Sequence, residues 1–302
     1  DGTQTQQSHY ENLQESKKVF SHALFLPADE HPHLRLSRLM HAFTALVRKP
    51  GLKFSQALSE HPQKNNIDLA RALRQHECYV EALQEVGGKV EHLPAQDHLP
   101  DATFVEDTAV ILQDKILLCP MKAPSRQEEA QSIASVLKMH RDCVTLDSPA
   151  TLDGGDVMNT PDTIFVGLSK RTNLQAMVAL SKLTSKKVVP VAVIKGLHLK
   201  SAATYLGNNL IILDPSRVDS SHLKQFDWIE VNENESYAAN CLALGNSVLI
   251  PTGFPNVREQ IRAHGLETLE LEMSEFEKAD GAVTCLSLII PQRAAAGRES
   301  FT

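Results

Sequence analysis

Near its end the chain carries Asp280-Gly281-Ala282-Val283-Thr284-Cys285-Leu286-Ser287-Leu288-Ile289-Ile290. A glycine followed by Val, Thr, Leu and Ile reads as a buried strand, here with a thiol near its start. An ionised thiol is a nucleophile, although a cysteine taken alone reads as a small buried hydrophobe. What changes the reading stands earlier in the chain: the acids Asp101, Glu106, Asp107, Asp153 and Asp156, the histidine His198, and the arginines Arg126 and Arg171. An imidazole moves protons near neutral pH, carboxylates offset a buried cation, and guanidinium groups grip carboxylates. Singly, each has an ordinary role. The acids fit turns and caps, His198 fits a hydrogen-bonded core position, and Asp153-Gly154-Gly155-Asp156 is a turn signal. Arg126 and Arg171 both fall at helix starts, where a cation meets the positive end of the helix dipole; that placement favours a ligand role.

These residues need elements to bring them together, and a recurring unit supplies them. From His41 onward a strand pair is followed by an amphipathic helix and a further short strand. The clearest copy has Ala109 to Leu112, a Gln-Asp-Lys turn, Ile116 to Cys119, a helix from Ser125 and a strand from Cys143 to Leu146. Ser125 and Glu128 form a capping-box pattern, and Ala130, Ile133, Ala134 and Leu137 share one face. The next copy has a strand pair around Val157 and Ile164 to Leu168, a helix from Thr172 and a strand from Val188 to Val193. A third runs through Ala202 to Leu213, a weaker helix from Pro215, and Trp228 to Val231. The fourth has Leu242 to Leu244, a Gly245-Asn246 turn, Ser247 to Ile250, a helix from Pro255 to His264 stopped by Gly265, and Thr268 to Leu271. A fifth closes the set if the ends meet, the Cys285 strand joining Phe43 to Val47, a helix from Ile67 to Val86, and Val90 to Leu93. Helix starts near 67, 125, 172, 215 and 255 give a spacing that suggests blades or stacked units. In a ring of such units, equivalent positions point at one axis, and the chemistry-bearing residues sit at like places: Glu106-Asp107 before the first hairpin, Asp153 and Asp156 before the second, His198 before the third and Cys285 in the closing strand.

Composition narrows the partners. The chain has 302 residues with a hydrophobic share of 42%, enough for a sizeable core in one or two domains. A net charge of −7, with 30 Lys+Arg against 37 Asp+Glu and no basic run, argues against nucleic acid or an anionic membrane surface. A small soluble substrate fits better. Cysteines at 78, 119, 143, 241 and 285 are widely spaced without CxxC pairing, which predicts reduced thiols in a cytoplasmic protein and no structural zinc. Cys78, Cys119, Cys143 and Cys241 read as packing residues. No apolar run approaches the ~20 residues of a membrane span, and no basic-then-apolar signal pattern opens the chain. Residues 1–39 read as a polar, partly flexible extension with Met40 as a candidate original start, and residues 40–302 as a single catalytic domain.

Together the motifs carry a resemblance. Leu99-Pro100-Asp101, Phe104-Val105-Glu106-Asp107, Ala123-Pro124-Ser125-Arg126, Leu152-Asp153-Gly154-Gly155-Asp156-Val157, Phe165 to Asn173, Gly196-Leu197-His198-Leu199-Lys200-Ser201 and Asp280 to Cys285 resemble the dimethylarginine dimethylaminohydrolase family, in its order from about Ala45 to Pro291. The resemblance implies an α/β fold, a five-bladed propeller (pentein) of ββαβ repeats around a central active site. It implies hydrolysis of an N-methylated arginine, a guanidino amino acid, to citrulline and a methylamine, with no metal and no organic cofactor. It carries the nucleophile to Cys285 and the general acid/base to His198, with Asp153 orienting the imidazole. Glu106, Asp107 and Asp280 would surround the guanidinium. Asp101 would take the α-amino group, Leu58 and Ala279 would offer backbone contacts, and Arg126 and Arg171 would grip the carboxylate. The loop Gly51 to Asn65, expected to cover the site, is the least similar stretch.

The chemistry is consistent with those roles. A permanently cationic guanidinium held away from water needs carboxylates, and the same carboxylates oppose ionisation of a nearby thiol until the cation arrives. Expelling an amine needs a proton, which an imidazole can give before activating water for the second step. Three rivals stay open at this stage: an arginine deiminase-like hydrolase releasing ammonia, an amidinotransferase in which an amine resolves the intermediate, and a binding protein that sequesters arginine-like metabolites.

Overall fold

Short runs of Val, Ile and Leu, too brief to stand as isolated hairpins, pair three at a time, and helices cover them. The computed structural model describes residues 43–292; the expected extension over residues 1–39, and Met40, lie outside the described residues. In chain order, β1 (Phe43–Val47), α1 (Leu69–Glu85) and β2 (Lys89–His92) come first. Next are β3 (Ala109–Ile111), β4 (Lys115–Leu118), α2 (Gln127–His140) and β5 (Asp142–Thr145). The following unit is β6 (Val157–Asn159), β7 (Thr163–Leu168), α3 (Leu174–Ser181) and β8 (Lys187–Ala192). Then come β9 (Ala203–Gly207), β10 (Leu210–Leu213) and β11 (Asp227–Glu230). The last full unit is β12 (Leu242–Leu244), β13 (Ser247–Pro251), α4 (Pro255–Ala263) and β14 (Glu267–Leu271). A short α5 (Ser274–Glu277) leads to β15 (Ser287–Pro291).

Among the described residues these strands make five three-stranded sheets, ordered β15-β1-β2, β3-β4-β5, β6-β7-β8, β9-β10-β11 and β12-β13-β14. In each, the first strand is antiparallel to the second and the second is parallel to the third, as a tight turn followed by a crossover requires. The expected five-bladed α/β propeller is therefore present, with ββαβ order in four blades and no α-helix in the β9-β10-β11 blade. The closing blade joins the two ends of the described chain, with Phe43 opposite Pro291 and Val47 opposite Ser287. β1 is buried along its whole length because it is the middle strand of that blade, as its unbroken Phe-Thr-Ala-Leu-Val run predicts. First strands of neighbouring blades abut, β15 on β3, β6 on β9 and β9 on β12.

Three readings need correction. The helix expected from Pro215 is replaced by turns and a single 3₁₀ turn at Ser220–His222. Asp214 accepts from the amide and hydroxyl of Ser216, and Asp219 from the amide of Ser221, so local side-chain bonds outcompete the helical ladder. The capping box at Ser125 and Glu128 does not form: a 3₁₀ turn at Pro124–Arg126 precedes α2 and puts Ser125 inside it. Ala130, Ile133 and Leu137 do face the core of that blade. Finally, Cys285 is not in a strand. It sits on a 3₁₀ turn, Thr284–Leu286, and the strand begins at Ser287.

Two features fix the segments that carry the site. Phe54, Phe104 and Phe276 form a buried aromatic trio with centroid separations of 6.0, 5.4 and 6.4 Å, joining the loop before α1, the Asp101–Asp107 segment and α5. Each such pair adds roughly 0.5–1.5 kcal/mol beyond area burial. Arg48, 1% exposed at the end of β1, donates to the carbonyls of Pro94 and Ala102 and to Ser132 Oγ on α2. The loop leading to Asp101 is thereby tied to two blades.

Candidate active site

Every blade's first strand is entered through a 3₁₀ turn: Val105–Thr108, Gly154–Asp156, Leu199–Ser201, Glu233–Ala239 and Thr284–Leu286. Neighbouring turns touch around the axis: Val105–Thr108 meets both Gly154–Asp156 and Thr284–Leu286, Gly154–Asp156 meets Leu199–Ser201, and Leu199–Ser201 meets Glu233–Ala239. Four of them carry the candidate residues, either within the turn (Glu106, Asp107, Asp156, Cys285) or on the residue before it (Asp153, His198).

His198 is 3% exposed, and its Nε2 lies 3.1 Å from Asp153 Oδ2. That bond leaves Nδ1, which lies 3.9 Å from Asp107 Oδ1, to meet a ligand. Asp107 also accepts from the Gly155 amide at 2.9 Å and from Arg126 Nη1 at 2.8 Å. Gly155 is required by close approach: a Cβ there would stand 2.7 Å from His198 Nδ1 and 2.8 Å from Asp107 Oδ1. Asp156 does not face the ligand space. It pins the His198 turn from behind, accepting from the Leu199 amide at 2.9 Å and from Ser169 Oγ at 2.6 Å.

Cys285 is held through Thr284, whose amide donates to Asn240 Oδ1 and whose hydroxyl donates to Glu106 Oε2. Asn240 in turn donates to the carbonyl of Lys200 and to Thr284 Oγ1. Glu106, expected around the guanidinium, points elsewhere: it receives Lys200 Nζ at 2.5 Å and lines a larger concavity that contains neither Cys285 nor His198. Its burial explains the choice, since a carboxylate in that position needs the ammonium partner.

The remaining candidates converge. One pocket is lined by Leu58, Asp101, Asp107, Arg126, Arg171, His198, Ala279, Asp280 and Cys285, with Phe104, Leu197 and Gly281. Asp101 Oδ1 accepts from the Leu58 amide at 3.0 Å and Asp280 Oδ2 from the Glu60 amide at 2.6 Å, so the loop after Gly51 rests on two acids of the pocket rim. Asp280 has φ +54°, a left-handed backbone that costs a non-glycine residue on the order of 1 kcal/mol or more. Arg126 and Arg171 differ. Arg126 is buried and largely committed, to Asp107, to Glu129 and to the carbonyl of Phe104. Arg171 Nη1, 3.7 Å from Asp153 Oδ2, is buried without a hydrogen bond, as is Asp153 Oδ1.

Electrostatics follow from this arrangement. Burial alone would lower the His198 pKa, but Asp107, Asp156 and Asp153 outweigh it and raise it from 6.5 to about 9, giving an imidazolium at neutral pH. Burial pushes Asp107 up, and the charges of His198 and Arg126 more than reverse this, holding it below the usual carboxylate range. Cys285 is pushed well up, first by desolvation and then by Glu106 and Asp107, with Lys200 opposing. The thiol of Cys285 and the imidazole of His198 therefore both favour their protonated forms at neutral pH. Asp107, Asp153 and His198 offer ligand atoms within 4.8 Å of one another, a set that could hold a metal ion. Here the imidazolium and Arg126 already supply the positive charge those carboxylates need.

Sequence reasoning did not single out Asn240, Glu129 or the supporting role of Lys200. Asn240 ends the entry turn of a blade, so the repeat itself was its signal; Glu129 had only its place in the first turn of a helix.

A five-bladed α/β propeller with a thiol, an imidazole, carboxylates and arginines meeting around its axis is the arrangement of the guanidine-modifying enzymes. A family model described as N,N dimethylarginine dimethylhydrolase, eukaryotic, matches residues 53–290. The chain belongs to the dimethylarginine dimethylaminohydrolase family. It is 33% identical over 230 residues to the N(G),N(G)-dimethylarginine dimethylaminohydrolase of Pseudomonas aeruginosa, covering 73% of this chain and 89% of that one. It is 35% identical over 248 residues to the Streptomyces coelicolor enzyme of that name, covering 81% and 95%. Among solved structures, a mutant of the Pseudomonas aeruginosa enzyme complexed with citrulline superposes with a TM-score of 0.79 at 30% identity, over 82% of this chain and 98% of that one. The N-terminal domain of ArgZ, a cyanobacterial arginine dihydrolase, shares the fold at 18% identity with a TM-score of 0.76, over 82% and 97%.

Proposed function

We propose that this protein hydrolyses an N-methylated arginine to citrulline and the corresponding methylamine through a covalent adduct on Cys285. The observation that carries the assignment of residues is that Cys285 and His198 line one pocket with Asp107, Asp101, Arg126 and Arg171. A guanidino amino acid has a delocalised cation at one end and an ammonium and a carboxylate at the other. Asp107, kept ionised by its neighbours, suits the cation; Asp101 at the rim suits the ammonium; Arg171, whose buried Nη1 makes no hydrogen bond within the protein, and Arg126 suit the carboxylate. Asp280 and the backbone of Leu58 and Ala279 border the same space. Glu106 acts from behind, holding Thr284 and so the Cys285 turn.

Arrival of the guanidinium changes the thiol. The acids that disfavour a thiolate are offset by the bound cation, and Cys285 releases its proton to solvent, since His198 is already protonated, when a substrate is present to be attacked. The thiolate forms a C–S bond to the guanidinium carbon. The tetrahedral adduct collapses by breaking the C–N bond to the methylated nitrogen, which leaves as a neutral amine with a proton from His198. The neutral imidazole, oriented by Asp153, then takes a proton from water. That water attacks the thiouronium carbon, the C–S bond breaks, and citrulline and the thiol are released.

The catalytic unit in this reading is the single propeller domain from residue 40 onward, working in the cytoplasm on a small-molecule substrate. Five unpaired cysteines support a reducing compartment, and no helix among the described residues is long and apolar enough to cross a membrane. The test offers arginine, monomethylarginine, asymmetric dimethylarginine and agmatine separately and measures ureido product, ammonia and methylamines. Citrulline with methylamine or dimethylamine is the expected result. Ammonia from unmethylated arginine as the preferred reaction would transfer the assignment to a deiminase.

A further inference from the structure

Glu129 lies outside the pocket, on the first turn of α2, and is 1% exposed. A buried carboxylate needs a purpose, and its contacts all run to one group. Oε1 accepts from Arg126 Nε at 3.1 Å, and Oε2 accepts from Nε at 3.2 Å and from Nη2 at 2.8 Å. Its backbone is fixed independently, because Ser132 Oγ donates to the Glu129 carbonyl and Arg48 Nη2 donates to that hydroxyl.

The inventory of Arg126 shows the consequence. A guanidinium has five N–H donors in a rigid plane. The Nε–H faces Glu129, both Nη2 hydrogens are accounted for by Glu129 and the Phe104 carbonyl, and one Nη1 hydrogen goes to Asp107. One Nη1 hydrogen is left, on an arginine that lines the pocket. The fork geometry of the Glu129 pair sets the plane of the guanidinium and so the direction of that last donor.

We infer that Glu129 is a positioning residue that holds Arg126 so that its remaining Nη1–H meets the substrate carboxylate, and thereby sets the preference for amino-acid guanidines over decarboxylated ones. This rests on the proposed role of Arg126 toward the carboxylate. Without Glu129, Arg126 keeps Asp107 as its sole anionic side-chain partner and rotates toward it. The donor then leaves the carboxylate position, while the chemistry at Cys285 and His198 is touched less.

The experiment compares monomethylarginine with its decarboxylated analogue, in the full-length protein and its Glu129→Gln variant. Both kcat and KM are measured, with melting temperature as a check of folding. Glu129→Gln is expected to raise KM for the amino acid about tenfold or more, as loss of a charge-assisted contact implies, with a smaller change in kcat and a several-fold smaller change in KM for the decarboxylated substrate. If that variant does not fold, Glu129→Asp, which withdraws the carboxylate by one methylene, is read out in the same way. A wild-type protein that treats the two substrates alike removes the carboxylate role of Arg126, and this inference with it. A wild-type protein that discriminates, beside a variant that keeps the full preference or loses both substrates equally, overturns the role of Glu129 alone.

Discussion

Adding one methyl group at Gly155 tests whether the proton-transfer geometry described above is the working one. Gly155 has no positive φ, so alanine is compatible with its backbone, and the cost of Gly155→Ala is set by space alone. Its Cβ would stand 2.7 Å from His198 Nδ1, 2.9 Å from His198 Cγ and 2.8 Å from Asp107 Oδ1. Ordinary van der Waals contact begins near 3.4 Å. The imidazole and the carboxylate must therefore retreat by about 0.5 Å or more, and both are held from behind, by Asp153 and by Arg126. A displacement of that order at a reacting group costs up to about 10²-fold in rate, and overpacking a buried site costs typically 1–3 kcal/mol of stability. The expected outcome is a kcat reduced by ten- to about a hundredfold for the preferred substrate, with a raised KM because Asp107 moves too. The melting temperature should fall by a few degrees without loss of cooperativity. Steady-state citrulline formation and thermal unfolding of the same preparation supply the numbers. A Gly155→Ala protein with wild-type kcat would mean that Nδ1 of His198 is not the proton donor to the leaving amine, and the mechanism would have to be redrawn.

Other expectations are simpler. Cys285→Ser should abolish turnover while leaving the melting temperature near that of the wild type; retained citrulline production would remove the nucleophile. Arg171→Ala should chiefly raise KM for amino-acid substrates, since this arginine lines the pocket and its buried Nη1, 3.7 Å from Asp153 Oδ2, has no hydrogen-bond partner in the protein, and an unchanged KM would take it out of carboxylate binding. The raised pKa of His198 also makes a stability prediction. A folded-state value of about 9 against an ordinary 6.5 gives a contribution fully present below pH 6.5 and lost as pH rises through 9. Denaturant unfolding between pH 6 and 9.5 should show this loss, and His198→Gln should flatten it; parallel slopes in the two proteins would contradict the imidazolium.

The fold was largely legible because it repeats. The Gln113-Asp114-Lys115 and Gly245-Asn246 turns, the apolar triplets around them and the helix faces each made one blade, and the closing blade followed from an unpaired run at either end. The failures were local. After Pro215, side chains of Asp214 and Asp219 captured the amides a helix would have used. At Cys285, an apolar stretch of the right composition is split between a turn and a strand, and periodicity does not distinguish the two. The site was legible as a set of residue types at like positions in the blades, but which way each pointed was not. Glu106 and Asp107 are neighbours in one turn, yet one faces Lys200 and the other His198, a choice made by partners distant in sequence. Glu129 could not be found from its own surroundings, because its importance comes from its contact with Arg126, the residue that lines the ligand space.

The closing blade has a consequence for how activity arises during synthesis. The segment that delivers the sulfur leads directly into β15, which bonds to β1 near the opposite end of the described chain. A growing polypeptide that has made the five α-helices described above still has a gap in its circle and no thiol at position 285 in place. Docking of a single late strand both fastens the ring and seats the sulfur, so the closing blade and the turn that carries Cys285 are completed in one step.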